Sequence, residues 1–273
     1  MHQAYGVLGY PLGHSLSPYL HNQAFQKLGM DRCYFKWEVK PDDLQGFFQA
    51  VRILPLSGVS VTIPYKETVM PFLEMMSREA LETGSVNTIY LQEGKLAGAN
   101  TDYLGFIGPL KNLNLESALV LGAGGASRAV IYGLKKLGVR KIYICNRNRV
   151  KARKIADEFQ VQCKDWAERG DLASDILINT TPLGTRGDNE DQTPWNFNRF
   201  PFKIVYDLVY NPLKTRLLRQ AENQGVMIAS GLSMFVHQAR EQFRIWTGEV
   251  FDADWAESLL REKLNSETSD ILS

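Results

Sequence analysis

The hydrophobic positions of this 273-residue chain fall into short apolar runs separated by stretches with helical spacing. AYGVLG near Ala4, RCYFKWEV near Arg32, GVSVTI near Gly58 and SVNTIYL near Ser85 read as strands. Helices are predicted between them, from Pro18, Pro41 and Pro64, because proline at a first helical position gives up an N–H that has no partner there. A second series opens with ALVLG at Ala118 and KIYIC at Lys141. It continues through DILINTTP (Asp175 to Pro182), KIVYDLVY (Lys203 to Tyr210) and VMIAS (Val226 to Ser230). After Gly231 the spacing turns helical in SMFVHQAREQFRIWTG and again in DADWAESLLREKL. The stretch from Thr181 to Phe202, rich in Gly, Asp, Asn and Pro, is predicted to be a mobile surface loop. The alternation places the chain in the α/β class with mostly parallel strands. It predicts two α/β domains, one from residues 1–100 with 232–273, the other from residues 101–231.

Bulk properties narrow the partners. A hydrophobic fraction of 44% and a charged fraction of 22% are ordinary for a globular protein, and a net charge of +1 gives no reason to expect nucleic acid or an anionic membrane. Cys33, Cys145 and Cys163 are too widely spaced for a metal-ligand pair and odd in number, which suits a reducing compartment. Neither a basic signal region nor a run of roughly 18 apolar residues occurs. A cytoplasmic protein is the expectation, and a homodimer is compatible with it.

The most specific local pattern is ALVLGAGGASRA, Ala118 to Ala129, followed after one helix length by KIYICNR. This is the order of strand, tight turn, helix and second strand of a Rossmann-type dinucleotide site. Gly122 suits the sharp turn, Gly124 leaves room for a diphosphate near the backbone, and small Ser127 lets the helix pack closely. The opening amides of the helix then face the phosphates. Sites for NAD carry Asp or Glu at the end of the second strand to hold the ribose 2′-hydroxyl. Asn146 and Arg147 stand there instead, and arginine suits a 2′-phosphate. A methyltransferase also places glycines in such a turn, but it needs an acid at the second strand end. The pattern predicts NADP(H) as cofactor.

Polar clusters fall at the ends of the predicted strands: His14-Ser15-Leu16-Ser17-Pro18, Ser60-Val61-Thr62-Ile63-Pro64-Tyr65-Lys66, Ser85-Val86-Asn87-Thr88 and Asn100-Thr101-Asp102. Each has a purely structural reading. Ser17 and Thr62 suit N-caps before their prolines, Asp102 suits the cap of a helix toward Leu110, and a lysine such as Lys66 is usually solvated. His14 and His21 have no acidic or cysteine partner at ligand spacing, so no metal is expected.

Taken together and in order, GYPLGHSLSPYLHN, SVTIPYK, GSVNT, NTDYLGF, LGAGGASRA, NRNRVKA, NTTPLG, YDLVYNPLKTRLL and GLSMFVHQAREQFRIWTG resemble the shikimate dehydrogenases from Gly9 to Gly248. The resemblance implies two α/β domains around a cleft and reversible reduction of 3-dehydroshikimate to shikimate with NADPH. It implies that Ser15 and Ser17 bind the substrate carboxylate, that Thr62, Asn87 and Gln238 bind ring hydroxyls, and that Tyr210 lies near the carboxylate end. Lys66 and Asp102 match the catalytic pair. Gly122, Gly124, Gly125 and Ala126 match the diphosphate turn. Asn146, Arg147 and Lys151 match the 2′-phosphate site, with Thr180 on the nicotinamide side. Three positions depart from the family pattern: Ser60 for a usual Asn, Ser85 for a common Ala, and Thr185 for a common Met. They bear on rate and on the choice between shikimate and related acids. The rivals are a quinate enzyme or one that also accepts NAD, and a non-catalytic NADP-sensing module, which has no use for Lys66 and Asp102.

Overall fold

A computed structural model describes residues 3–13 and 15–272, the last six as backbone alone; His14 lies outside the described residues. The chain divides into two compact units, Met1–Thr101 with Gln238–Leu260, and Asp102–His237 with Arg261–Ser273.

The first unit contains β1 (Gln3–Gly9), α1 (Ser17–Lys27), β2 (Arg32–Glu38), α2 (Leu44–Val51), β3 (Leu56–Val61), β4 (Met75–Met76), α3 (Arg78–Thr83), β5 (Thr88–Gln92) and β6 (Lys95–Ala99). Its six strands form one sheet in the order β2-β1-β3-β5-β6-β4, parallel throughout except for β5, which runs against both its neighbours. Leu8, Val59, Val61, Ile89 and Leu96 pack with Phe48 and Val51 of α2 into its core.

The second unit contains α4 (Asp102–Ile107), β7 (Ser117–Leu121), α5 (Gly125–Lys136), β8 (Lys141–Cys145), α6 (Arg149–Phe159), β9 (Gln162–Lys164), β10 (Ile176–Asn179), β11 (Ile204–Asp207), α7 (Arg216–Glu222) and β12 (Met227–Ser230). All six strands are parallel, in the order β12-β11-β10-β7-β8-β9. This is the doubly wound order of a Rossmann fold, in which the strand sequence reverses at β7. Its central strands β7, β8, β10 and β11 are largely apolar because both faces are covered. Ala118, Val120, Ile142, Ile144, Ile176 and Ile178 pack on one side, and Leu119, Leu121, Cys145, Leu177 and Val205 on the other. After β12, α8 (Gly231–Thr247) and α9 (Ala253–Leu272) complete the chain. Among the described residues no helix is long and apolar enough to cross a membrane.

Three local expectations are corrected. No α-helix starts at Pro64: turns lead instead to a short 3-10 turn at Met70–Phe72. The Lys66 carbonyl, which a helix would offer to Met70, accepts the Val86 amide at 2.7 Å, and the Met70 amide goes to Glu67. Ser17 is not an N-cap; Leu16 holds that position and Ser17 is the first helical residue, its side chain buried. The Thr181–Phe202 stretch is irregular, yet it is not confined to the surface. Trp195 is fully buried against Phe200, Phe202 and the β10–β11 core, and its Nε1 donates to the Arg199 carbonyl at 3.0 Å. Arg169 secures the same segment by donating to the Pro194 carbonyl and Asn196 Oδ1.

Candidate active site

In the first unit, the residues expected to bind substrate gather along one edge of the sheet. Leu8 pairs with Val61, so the segments leaving β1 and β3 run side by side, and the Tyr10 amide donates to the Ile63 carbonyl at 3.0 Å. The first segment carries Ser15, whose Oγ accepts the Ser17 amide at 3.4 Å; the second carries Thr62 and half-buried Lys66. Because β5 is reversed, the residue preceding it, Asn87, reaches this edge too, and its amide donates to the Ala99 carbonyl at the end of β6.

Asn87 is almost fully buried, and its side chain is fixed from both ends. Its Nδ2 donates to Thr101 Oγ1 (2.9 Å) and Gln238 Oε1 (3.2 Å), while Oδ1 accepts the Thr101 amide (2.8 Å) and the Thr88 hydroxyl (2.7 Å). The Thr101 hydroxyl also donates to the Gln238 carbonyl at 3.1 Å. A buried amide with its groups satisfied holds one orientation, so Asn87 and Gln238 are set as a pair.

Asp102 is buried at the first position of α4 in the second unit. The other expected residues of that unit stand at the carboxyl ends of the parallel strands, the edge at which such sheets bind ligands. Gly122 turns the chain after β7 at φ +117°, a conformation closed to other residues, and its amide donates to the Cys145 carbonyl. Gly124 precedes α5, and a Cβ built there meets nothing within 4 Å, so the space over the first helical turn, formed by Gly125 and Ala126, is clear. Ser127 is buried and donates to the Gly124 carbonyl at 2.7 Å. Thr180, after β10, donates both its amide and its hydroxyl to the Leu121 carbonyl, which sets it against Gly122.

After β8, Asn146 Nδ2 donates to the Asn148 carbonyl, and Asn148 Oδ1 accepts the Lys151 amide as the N-cap of α6. Arg147 and Lys151 are exposed, and neither charged group is paired among the described residues. This donor set, with the clear helix start, fits a phosphorylated dinucleotide. Tyr210 stacks on Phe235 with ring centroids 4.9 Å apart.

The departures from the family pattern all have neighbours within their own unit. Ser60 is buried between Tyr34 and Gln242, the Ser85 hydroxyl accepts from Asn100 Nδ2 at 2.9 Å, and the Thr185 amide donates to the Pro182 carbonyl.

Reading the strand ends as ligand-facing overlooked Asn179 and Asp207, which hold the NTTPLG segment from inside. Asp207 accepts from Asn179 Nδ2 (2.8 Å), the Val209 amide (3.1 Å) and the Thr215 hydroxyl (2.6 Å); Asn179 in turn bonds Thr181 and the Leu183 carbonyl. The available signal was a polar residue closing an apolar strand, since such a group must find partners in the core. Burial pushes the Asp207 carboxyl up to about 7, against these hydrogen bonds, which favour its ionised form. Between the ordinary value of 3.8 and pH 7 the native state therefore keeps a proton that the unfolded chain has released. The stability this contributes at low pH is lost as pH rises through that window. Asp207→Asn removes the dependence, so the variant should lose stability relative to wild type as pH falls from about 7 to about 4. Denaturation midpoints across the window test this, and a difference constant with pH would refute it. Buried His21 has the opposite slope, since burial depresses its imidazole from 6.5 to about 3; comparison with wild type isolates Asp207.

Residues 7–89 match the shikimate dehydrogenase substrate binding domain, residues 108–182 the shikimate / quinate 5-dehydrogenase family, and residues 231–254 the shikimate 5'-dehydrogenase C-terminal domain. The chain is 45% identical over 269 residues to the shikimate dehydrogenase (NADP(+)) of Oleidesulfovibrio alaskensis, covering 97% of this chain and 96% of the relative. The shikimate 5-dehydrogenase of Thermus thermophilus, solved in complex with NADP(H) and shikimate, is 36% identical with a TM-score of 0.86, covering 95% of this chain and 99% of that one. The quinate dehydrogenase of Corynebacterium glutamicum, solved with NAD, is 28% identical with a TM-score of 0.86, covering 96% and 100%. On family profiles spread along its length and near-complete alignment with these relatives, the chain belongs to the shikimate dehydrogenase family.

Proposed function

We propose that the chain is an NADP-dependent shikimate dehydrogenase that reversibly reduces 3-dehydroshikimate to shikimate. The observation that carries this reading is the near full-length identity to shikimate dehydrogenases named for NADP(+). The bound dinucleotide supplies or accepts the hydride at the ring carbon. Gly122, Gly124, Gly125 and Ala126 would hold its diphosphate, and Asn146, Arg147 and Lys151 its 2′-phosphate.

The protein's own task is to orient the ring and manage one proton. Ser15, Ser17 and Tyr210 take the carboxylate end, and Thr62, Asn87 and Gln238 take ring hydroxyls. The Lys66 ammonium hydrogen-bonds the carbonyl oxygen, stabilises the negative charge developing there and donates the proton; Asp102 accepts a hydrogen bond from the neighbouring ring hydroxyl. In the oxidation direction the same proton returns to Lys66. Ser60 supports shikimate over quinate, because its hydroxyl is buried and its one proton is given to Gln242, so it has none to donate to a further ring hydroxyl. An absorbance assay with shikimate or quinate, each with NADP or NAD, tests the reading: shikimate with NADP should give the highest kcat/KM, and no shikimate-dependent reduction would refute it.

Cofactor choice is read at Arg147. A charge-assisted contact contributes about 1.5–3 kcal/mol, so Arg147→Ala should weaken NADP binding about tenfold or more and leave NAD binding nearly unchanged. Because the side chain is exposed and unpaired among the described residues, the fold should be unaffected. Binding titrations with both dinucleotides decide it, and equal losses would place Arg147 away from the 2′-phosphate.

A further inference from the structure

One buried hydrogen-bond chain in the first unit joins the residues assigned to the substrate. The Tyr34 hydroxyl donates to Ser60 Oγ at 2.6 Å, and Ser60 Oγ donates to Gln242 Oε1 at 2.8 Å. Gln242 Nε2 then donates to the Asn87 carbonyl at 2.8 Å, an oxygen that also accepts the Val61 amide at the end of β3. At the other end, Tyr34 is hydrogen-bonded to α1, the helix that opens with Ser17. Tyr34, Ser60 and Gln242 are each at most 5% exposed, so water does not compete for these bonds.

The chain is anchored outside itself. The Tyr34 backbone is clamped to α1 by Asn22, which accepts its amide at 2.8 Å and donates to its carbonyl at 2.9 Å. Its ring is stacked on His21 at 4.5 Å. Gln242 comes from α8, one turn beyond Gln238 on the same helix. Three separate elements, β2, β3 and α8, thus contribute one polar side chain each to a line running from Tyr34, held on α1, to Asn87. Apolar side chains would fill this space without the need to satisfy buried polar groups, whereas a completed hydrogen-bond chain fixes one geometry.

We propose that Tyr34, Ser60 and Gln242 are positioning residues for the substrate pocket, holding Ser17 at one end and the Asn87–Gln238 pair at the other in the spacing that shikimate requires. The proposal rests on the shikimate dehydrogenase reading. Because the residues they hold grip non-reacting groups of the substrate, loosening them removes binding shared by ground and transition states. That raises KM and leaves kcat largely intact. The dinucleotide residues lie in the second unit and are untouched.

The test compares wild type, Tyr34→Phe and Gln242→Met, with Phe48→Leu as a core truncation in the same unit outside the chain. Each is assayed for shikimate-dependent NADP reduction and for thermal midpoint. Each of the first two variants should raise the KM for shikimate about tenfold, the factor expected when a buried partner is left unsatisfied. Their kcat should stay within about threefold and their KM for NADP within about twofold, while Phe48→Leu lowers the midpoint without moving the shikimate KM. An active wild type with shikimate KM unchanged in Tyr34→Phe overturns the proposal. So does a KM rise in Phe48→Leu that tracks the midpoint as it does in the other variants. A wild type inactive with shikimate overturns the functional reading and this proposal together. If Gln242→Met does not fold, Tyr34→Phe, which keeps the ring stack, decides alone.

Discussion

Lys66→Met should lower kcat by about 10²–10⁴-fold, the range for loss of a positioned acid or base, while the protein still folds and binds shikimate. Methionine keeps an unbranched stem and removes the ammonium, so the variant isolates charge and proton from packing. The backbone supports this separation: Lys66 is held by its carbonyl, which receives the Val86 amide, and that bond survives any side-chain change. Lys66→Ala should be equally damaging, because in either variant nothing replaces the proton donor. Steady-state rates in both directions, with shikimate affinity measured separately by titration, give the split between kcat and binding. Near-normal turnover in a folded variant would remove Lys66 from the mechanism.

How far this was legible in the sequence depends on whether a residue's neighbours are local. The turn from β7 into α5 and the basic end of β8 are set by residues within about thirty positions of one another, and their glycines and apolar runs announce them. The longer parallel strands were legible too, since strands covered on both faces read as near-continuous apolar runs. Pro64 misled because the Lys66 carbonyl is claimed by Val86, a distant residue whose demand leaves no mark on local spacing. Trp195 misled in the other direction: a polar, proline-containing composition hid one large aromatic that is buried against β-strand residues. The short strands β4 and β9, of two and three residues, are too brief to show a period. Within the candidate site, the residues expected to face ligand were visible as motifs. Tyr34 and Gln242 carried no such signal, because their partners come from other elements, and Asn179 and Asp207 showed only as polar residues closing apolar strands.

Gly122 and Gly124 should separate stability from cofactor binding, although they sit two residues apart in one turn. Gly122→Ala forces a Cβ onto a backbone at φ +117°, which costs about 1–3 kcal/mol. That Cβ would also clash with Thr180 Oγ1 and lie 3.1 Å from the Thr180 carbonyl carbon. Thr180 has little freedom to withdraw, because its amide and hydroxyl both bond the Leu121 carbonyl. Overpacking of this kind adds about 1–3 kcal/mol. The total, about 2–6 kcal/mol, is a large part of the roughly 5–15 kcal/mol that stabilises an ordinary domain. Gly124→Ala meets neither obstacle. Its φ of −124° is open to any residue, and its Cβ points into clear space. Stability should therefore change by less than about 1 kcal/mol, the scale of a Gly-to-Ala exchange at a compatible position. The same methyl group, however, would occupy the space proposed for the diphosphate over the first turn of α5. NADP affinity should fall at least about tenfold, a change of about 1.4 kcal/mol. Urea denaturation and NADP titration of both variants provide the readout. If Gly124→Ala binds NADP like wild type, the first turn of α5 is not the diphosphate site, whatever Gly122→Ala does to the fold.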